Sequence, residues 1–260
     1  MKKKIKLIFL GRGKIASDCF SILNNNFFKN YFEIKAVVSA KNFFLNNKKN
    51  IPNDAIKIMN NKNSENRIFK IIQQKKINLL ISVLHPWLLS ERVLKKINFN
   101  AFNLHNGDLP NYKGWNATGH AIINSEKYIS TVIHKMAKLI DEGPVVSQKK
   151  IKIYKNTSAE NLYIKVIKAA SLNFKIFLKS LIKNKIKLEK IQKGGKFYNK
   201  DELEVLKKLK VKLTKKQYKI ILGSYIPPYE PAFTYFDKRK VYLIPQEIFN
   251  NIINKQKKIN

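Results

Sequence analysis

Short, almost wholly apolar runs separated by stretches of helical pattern are the feature that most narrows what this chain can become. "KIKLIFLG" opens the series, followed by "RGKIASDCFSIL", in which Ile15, Cys19, Phe20 and Leu23 recur at helical spacing. "FEIKAVVSA" (32–40) predicts a second strand, and a polar, Asn/Lys-rich connection runs from there to about residue 66. Helix 66–76 then precedes the strand "INLLISVL" (77–84), and helix 89–97, with Ser90 as its N-cap, precedes the strand "AFNLH" (101–105). Strands alternating with helices imply βαβ units and a mostly parallel sheet, hence an α/β fold.

The second half continues with a helical stretch at 117–124, a strand at 128–136 that alternates Ile129, Thr131 and Ile133, and another at 143–154. Thr157 with Glu160 reads as a capping box for a helix over 158–183, whose apolar stripe is Tyr163, Ile167, Ala170, Phe174, Phe177 and Leu181. The main domain is therefore expected over residues 1–185. Residues 186–260 read as a small C-terminal region of loop, helix and a β-hairpin, "PAFTYFDKRKVYLI", turning at Asp237–Arg239. A length of 260 residues fits one large domain with such an appendage.

Composition excludes several classes. The single cysteine, Cys19, rules out an internal disulfide framework and a cysteine-based zinc cluster and fits a reducing compartment, so the cytoplasm is expected. "MKKKIKLIFLGRGK" imitates a signal peptide only until Gly11, and the most apolar stretch (77–89) is shorter than a membrane span and carries Asn78, His85 and Pro86. The net charge of +35 invites a nucleic-acid reading. Arginine, however, occurs only at 12, 67, 92 and 239 among 52 basic residues, so the lysines read as a genome-wide compositional bias rather than a surface built for bidentate phosphate or base readout. Neither a specific nucleic-acid partner nor a membrane is expected.

All four histidines lie at 85, 105, 120 and 134. In "AFNLH" the strand alternation puts Phe102 and Leu104 on one face and Asn103 and His105 on the other, at the end of the strand where open α/β sheets bind ligands. An amide donor beside an imidazole suits attack on a carbonyl: the amide steadies the developing oxyanion and the imidazole moves a proton. Asp141, in "LIDEGPVV", is the acid best placed to orient the imidazole; the alternative is that it caps a turn with Gly143. The histidines lack ligand-like spacing with carboxylates, so no metal is expected. A different class starts at Gly11-Arg12-Gly13-Lys14-Ile15-Ala16, which fits a dinucleotide fingerprint and would make the chain an NAD(P)-dependent oxidoreductase. Strand 32–40 lacks the acidic residue that binds a ribose, and tight strand-to-helix packing explains the glycines equally well.

"FNLHNGDLPNYKGWN" (102–116), with "DEGPV" following 36 residues after His105, resembles the signature of the formyltransferase family that uses 10-formyltetrahydrofolate. The resemblance spans about residues 5–185 and implies a Rossmann-like formyltransferase domain. It assigns Asn103, His105 and Asp141 as catalytic, and His85, Pro86, Trp87 and Leu88 of "HPWLL", with Asp141, as folate-binding. It implies acceptor contacts from Arg12, Asn106, Gly107, Asp108, Tyr112, Lys113, Trp115 and Asn116. Lys113 stands where the family carries Arg, keeping the charge without the planar fork.

The tail, "GGKFYNKDELE" and "YIPPYEPAFTYF", is similar to that of nucleotide-linked amino-sugar N-formyltransferases, although Leu222 stands where an Arg is expected ahead of Pro227 and Pro228. That likeness implies formylation of a dTDP-linked amino-dideoxy sugar for a surface polysaccharide such as the O-antigen of lipopolysaccharide, by a homodimer. Tyr225 and Tyr229 would either stack on the nucleotide base or line the subunit interface. Initiator methionyl-tRNA formylation is the alternative within the family, but its larger C-terminal barrel does not fit into residues 186–260.

Overall fold

The computed structural model describes residues 3–61, 63–192, 194–210, 214–226 and 229–256. The first half runs β1 (Ile5–Gly11), α1 (Gly13–Leu23), α2 (Asn26–Lys29), β2 (Phe32–Ser39), α3 (Lys41–Asn46), β3 (Ile56–Met59), α4 (Ser64–Lys75), β4 (Leu79–Val83), α5 (Glu91–Lys96) and β5 (Ala101–His105). There follow β6 (Lys113–Gly114), α6 (Ala117–Ile123), β7 (Tyr128–Lys135), β8 (Val145–Lys152) and α7 (Ala159–Ile182). The tail comprises β9 (Phe197–Tyr198), α8 (Glu202–Leu206), α9 (Lys215–Ser224), the hairpin β10 (Ala232–Phe236) and β11 (Arg239–Leu243), and α10 (Gln246–Gln256).

Seven strands form one sheet in the order β3-β2-β1-β4-β5-β7-β8. The first five are mutually parallel, while β5–β7 and β7–β8 are antiparallel. The apolar runs are explained by burial on both faces. Along β1, Leu7 and Phe9 join the core under α1 and α7, whereas Ile8 and Leu10 join the opposite core with Ile68 of α4 and Val93 of α5. Asn173 of α7 is a polar pin in the first core: its Nδ2 donates to the Thr131 carbonyl of β7 at 3.0 Å.

Four local expectations change. The connection after β2 is not structureless: it holds α3 and the sheet-edge strand β3, whose four residues are too few to show a period and bury fully only Ile58. The N-cap of α7 is Ser158, which accepts from the Asn161 N–H at 3.3 Å, because Thr157 is engaged in the preceding turn, accepting from the Tyr154 N–H. The buried stripe of α7 is accordingly rotated to Leu162, Val166, Ala170, Asn173, Phe174 and Phe177, leaving Tyr163, Ile167 and Leu181 half-buried at its border. The hairpin turns on two residues, Asp237 and Lys238, both left-handed (φ 47° and 61°), as a two-residue turn matching the strand twist requires, and Arg239 already belongs to β11. Pro227 and Pro228 lie outside the described residues.

The tail is built onto the main domain. β9 pairs with β6, and α9 crosses α6 at Gly119 and Gly223, where a Cβ on Gly119 would sit 2.6 Å from the Gly223 carbonyl oxygen. His120 of α6 and Tyr112 each stack on Tyr198 of β9, with ring centroids 4.0 and 5.4 Å apart. Among the described residues, no helix is long and apolar enough to cross a membrane.

Candidate active site

β5 ends at the floor of a cleft of about 900 Å³, and Asn103 and His105 share the face that opens into it. The neighbouring strand sets the amide of Asn103. Ser82 is its register partner on β4, and the Ser82 hydroxyl donates to Asn103 Oδ1 at 2.7 Å, so the amide nitrogen is turned the other way. Nδ2 lies 3.5 Å from Asp141 Oδ1 and 3.3 Å from His134 Nε2. His134 enters from β7 as the antiparallel partner of Asn103. Neither Ser82 nor His134 was singled out from the sequence. Ser82 was detectable as the lone hydroxyl within an apolar strand, and His134 as the residue out of step with Ile129 and Ile133.

Asp141 is the hub. It is buried, adopts a left-handed backbone (φ 54°), and accepts the Gly114 N–H at 2.9 Å through Oδ2. His105 Nδ1 is 3.4 Å from Oδ2, and His134 Nε2 is 3.2 Å from Oδ1. Burial by itself pushes this carboxyl up, but the charge of His105, the hydrogen bond and charge of His134 and the Gly114 N–H outweigh it and hold the group well below the usual carboxylate range. The alternative of a turn cap is answered by these partners, none of which is Gly143. Gly143 has its own cause: a Cβ there would lie 1.6 Å from the Lys135 carbonyl oxygen, so only glycine lets this loop close on β7.

His105 Nε2 sits 2.6 Å from the Tyr112 carbonyl oxygen, an acceptor only, so Nε2 carries its proton and donates. Gly107 permits that approach, since a Cβ on it would come within 2.5 Å of His105 Nε2 and 2.3 Å of the same carbonyl. The ring is thereby locked with Nδ1 toward Asp141.

The cleft is lined by His85, Pro86, Trp87 and Leu88 and by Leu139 and Ile140. Both ring nitrogens of His85 are buried without a partner among the described residues, and burial pushes the imidazole down to about 4, keeping it neutral. Arg12 also lines the cleft, its own N–H bonded to the Val83 carbonyl. The lining of the cleft also includes Asn106, Trp115 and Asn116 and the tail residues Lys207, Ser224 and Tyr229.

Five residues implied as acceptor-binding do not line it. Tyr112 is buried, its hydroxyl donating to Glu126 and accepting from Asn124. The Lys113 ammonium is buried in an ion pair with Glu142 at 2.7 Å. Asp108 turns the loop through its carbonyl, bonded to the Tyr112 N–H, Gly107 packs on His105, and Tyr225 caps α9 away from the cavity. The glycines at 11 and 13 have causes of their own: a Cβ on Gly11 would meet the Phe9 ring at 2.7 Å and Ala16 Cβ at 2.8 Å, and Gly13 adopts a left-handed backbone (φ 74°). At the end of β2, where a dinucleotide site needs an acid, Ser39 instead donates to the Gly11 carbonyl. Among the described residues, no group of three or more His, Cys, Asp or Glu could hold a metal ion.

Known proteins resemble this chain in sequence or in fold. The chain is 33% identical over 149 residues to the bifunctional polymyxin resistance protein ArnA of Wigglesworthia glossinidia brevipalpis, covering 57% of this chain and 23% of that one. It spans less than two thirds of the length of the curated relatives it matches, methionyl-tRNA formyltransferases among them. A 4-N formyltransferase from Francisella tularensis has the same fold, with TM-score 0.76 and 19% identity over 94% of this chain and 98% of that one. So does the N-formyltransferase from Helicobacter canadensis in complex with folinic acid and dTDP-3-aminofucose, with TM-score 0.68 and 21% identity over 91% and 86% of the two chains. With residues 3–178 matched by the formyl transferase family model, the chain belongs to that family.

Proposed function

We propose that the protein transfers a formyl group from 10-formyltetrahydrofolate to the amine of a nucleotide-linked, dTDP-type amino-dideoxy sugar. The observation that carries this reading is the meeting of Asn103, His105 and Asp141 in a cleft part of whose wall comes from the tail. A wall of that kind is what a bulky acceptor needs beyond the reacting amine. The likeness to sugar N-formyltransferases over more than nine tenths of the chain, tail included, supports the acceptor class. The reaction belongs in the cytoplasm, and the product in the supply of a surface polysaccharide such as the O-antigen.

The end of the cleft at His85, Trp87, Leu88, Leu139 and Ile140 fits a flat heterocycle: apolar side chains for its faces and two unpartnered imidazole nitrogens beside its polar edge. A formyl folate bound there supplies an activated carbonyl carbon. Asn103 Nδ2, fixed by Ser82, donates to the oxygen on which negative charge develops. As the neutral amine forms its bond to carbon it must lose a proton, and the bond from that carbon to N10 of the folate breaks in turn, tetrahydrofolate leaving with a proton returned to its nitrogen. The Tyr112 carbonyl holds the His105 proton on Nε2, so Nδ1 is the basic atom. Asp141, 3.4 Å away, stabilises the imidazolium that results and does not itself take the proton.

The test is a transfer assay with 10-formyltetrahydrofolate and a panel of nucleotide sugars bearing amines at C3 or C4, read by mass spectrometry. A formylated nucleotide sugar is expected. Formylation of charged initiator tRNA at a rival rate, with no sugar product, overturns the proposal.

A further inference from the structure

Lys207 is the most deeply buried lysine of the described residues, with 2% of its surface exposed, and it lines the cleft. It stands at the C-cap of α8, where its backbone is pinned from both sides: its N–H bonds to the Leu203 and Glu204 carbonyls, and its carbonyl accepts the Phe233 N–H at 2.9 Å. The ammonium is therefore delivered to a set place. A buried ammonium is costly unless paired, and here its partner is Glu204, at 2.7 Å. That carboxylate is 55% exposed and free to turn outward. The other acid near Lys207, Glu230, is engaged by Lys240 and the Tyr242 hydroxyl. A second feature of the tail lines the same cleft: Ser224, the last residue of α9, is 4% exposed and buries a hydroxyl with no hydrogen-bond partner among the described residues.

A caged cation and an idle hydroxyl, both brought by the tail to one cleft, are the complement of an oxyanion richer in acceptors than a carboxylate. We propose that Lys207 and Ser224 recognise a phosphate of the acceptor, and that Glu204 holds the ammonium until the phosphate displaces it. This deepens the nucleotide-sugar reading and rests on it. Lys207 thus acts in acceptor selection and not in the transfer step. As a compact point charge it fits a phosphate without the planar fork of an arginine.

The test is calorimetric binding of dTDP, thymidine and inorganic pyrophosphate to the full chain. The wild type is expected to bind dTDP more tightly than thymidine, and Lys207→Met to weaken dTDP by about 10–100-fold, the range for a lost charge-assisted hydrogen bond, with thymidine unchanged. Lys207→Arg retains the preference. Glu204→Gln, at an exposed position that does not threaten folding, tightens dTDP binding several-fold by removing the competitor. A dTDP-over-thymidine preference that persists in folded Lys207→Met, or a Glu204→Gln variant that binds dTDP more weakly, overturns the proposal, as does a wild type that binds neither dTDP nor pyrophosphate. If pyrophosphate binds through Lys207 while dTDP does not, the phosphate site stands and the nucleotide-sugar reading fails.

Discussion

Asp141 shows how one residue's backbone and side chain are set by different neighbours. Its backbone is left-handed in a loop that Gly143 lets close on β7, while its carboxylate is held by two imidazoles and the Gly114 N–H. Asn103→Ala is expected to cut turnover by about 10²–10⁴-fold with the fold intact. Ser82→Ala, which frees the amide without removing it, should cost only about tenfold, the value of one neutral hydrogen bond. Steady-state rates with circular dichroism check both, and equal losses in the two variants would contradict the orienting role of Ser82. His120 offers a pH test. Burial pushes its imidazole down to about 4, with Glu202 opposing and Lys196 adding. A base with a lowered folded pKa confers stability that is full above the ordinary histidine value and fades as pH falls toward 4. His120→Phe should flatten that decline by on the order of 2 kcal/mol in denaturant titrations between pH 7 and 4.5. His85, lowered to about 4 by the same cause, keeps some of the slope, so the decline is reduced and not abolished.

Among the elements, the crossing of α6 and α9 couples the tail to the site. Two glycines let the backbones touch, and Ser224 follows Gly223 directly into the cleft wall. Gly119→Val should push α9 outward, cost about 1–3 kcal/mol of stability through overpacking, and raise the acceptor Michaelis constant while the folate constant stays put. The two tail tyrosines separate in the same assay. Tyr229 lines the cleft and remains 60% exposed, ready to stack on a base. Tyr229→Ala should raise the acceptor constant by about 5–150-fold, the equivalent of one lost base stack. Tyr225→Ala, outside the lining, should leave it unchanged. A reversed pattern would reassign the base contact.

At the scale of the whole molecule, the hairpin leaves much of its apolar surface exposed. β10 is tied to the segment after α8 through the Leu209 and Phe233 backbones, whereas β11 has an open outer edge with Val241 and Tyr242 partly bare. Phe236, at the turn, is 68% exposed. A two-stranded ribbon with such an edge is rarely stable alone, and a second copy is the partner that the proposed homodimer supplies. Light scattering should return twice the chain mass, and Phe236→Lys with Val241→Lys should return the monomer with formyl transfer reduced but present. A wild type that is monomeric at micromolar concentration would refute this.

What the sequence determined by itself was whatever depends on neighbours along the chain. Strand period and double-sided burial are local, so "KIKLIFLG", "INLLISVL" and "AFNLH" announced the parallel sheet, and the alternation in "AFNLH" put Asn103 and His105 on one face. The brief strand β3 and the cap of α7 escaped because four residues cannot display a period and adjacent Thr157 and Ser158 compete for one cap. The tertiary structure alone decided who meets whom across the sheet and from the tail. Ser82 and His134 reach Asn103 through strand register from 21 and 31 residues away. Tyr112 and Lys113, beside the site in sequence, turned away to pair with Glu126 and Glu142, while Lys207 arrived from far along the chain. Register and docking are settled by burial summed over the whole core, and no local window of sequence contains that sum.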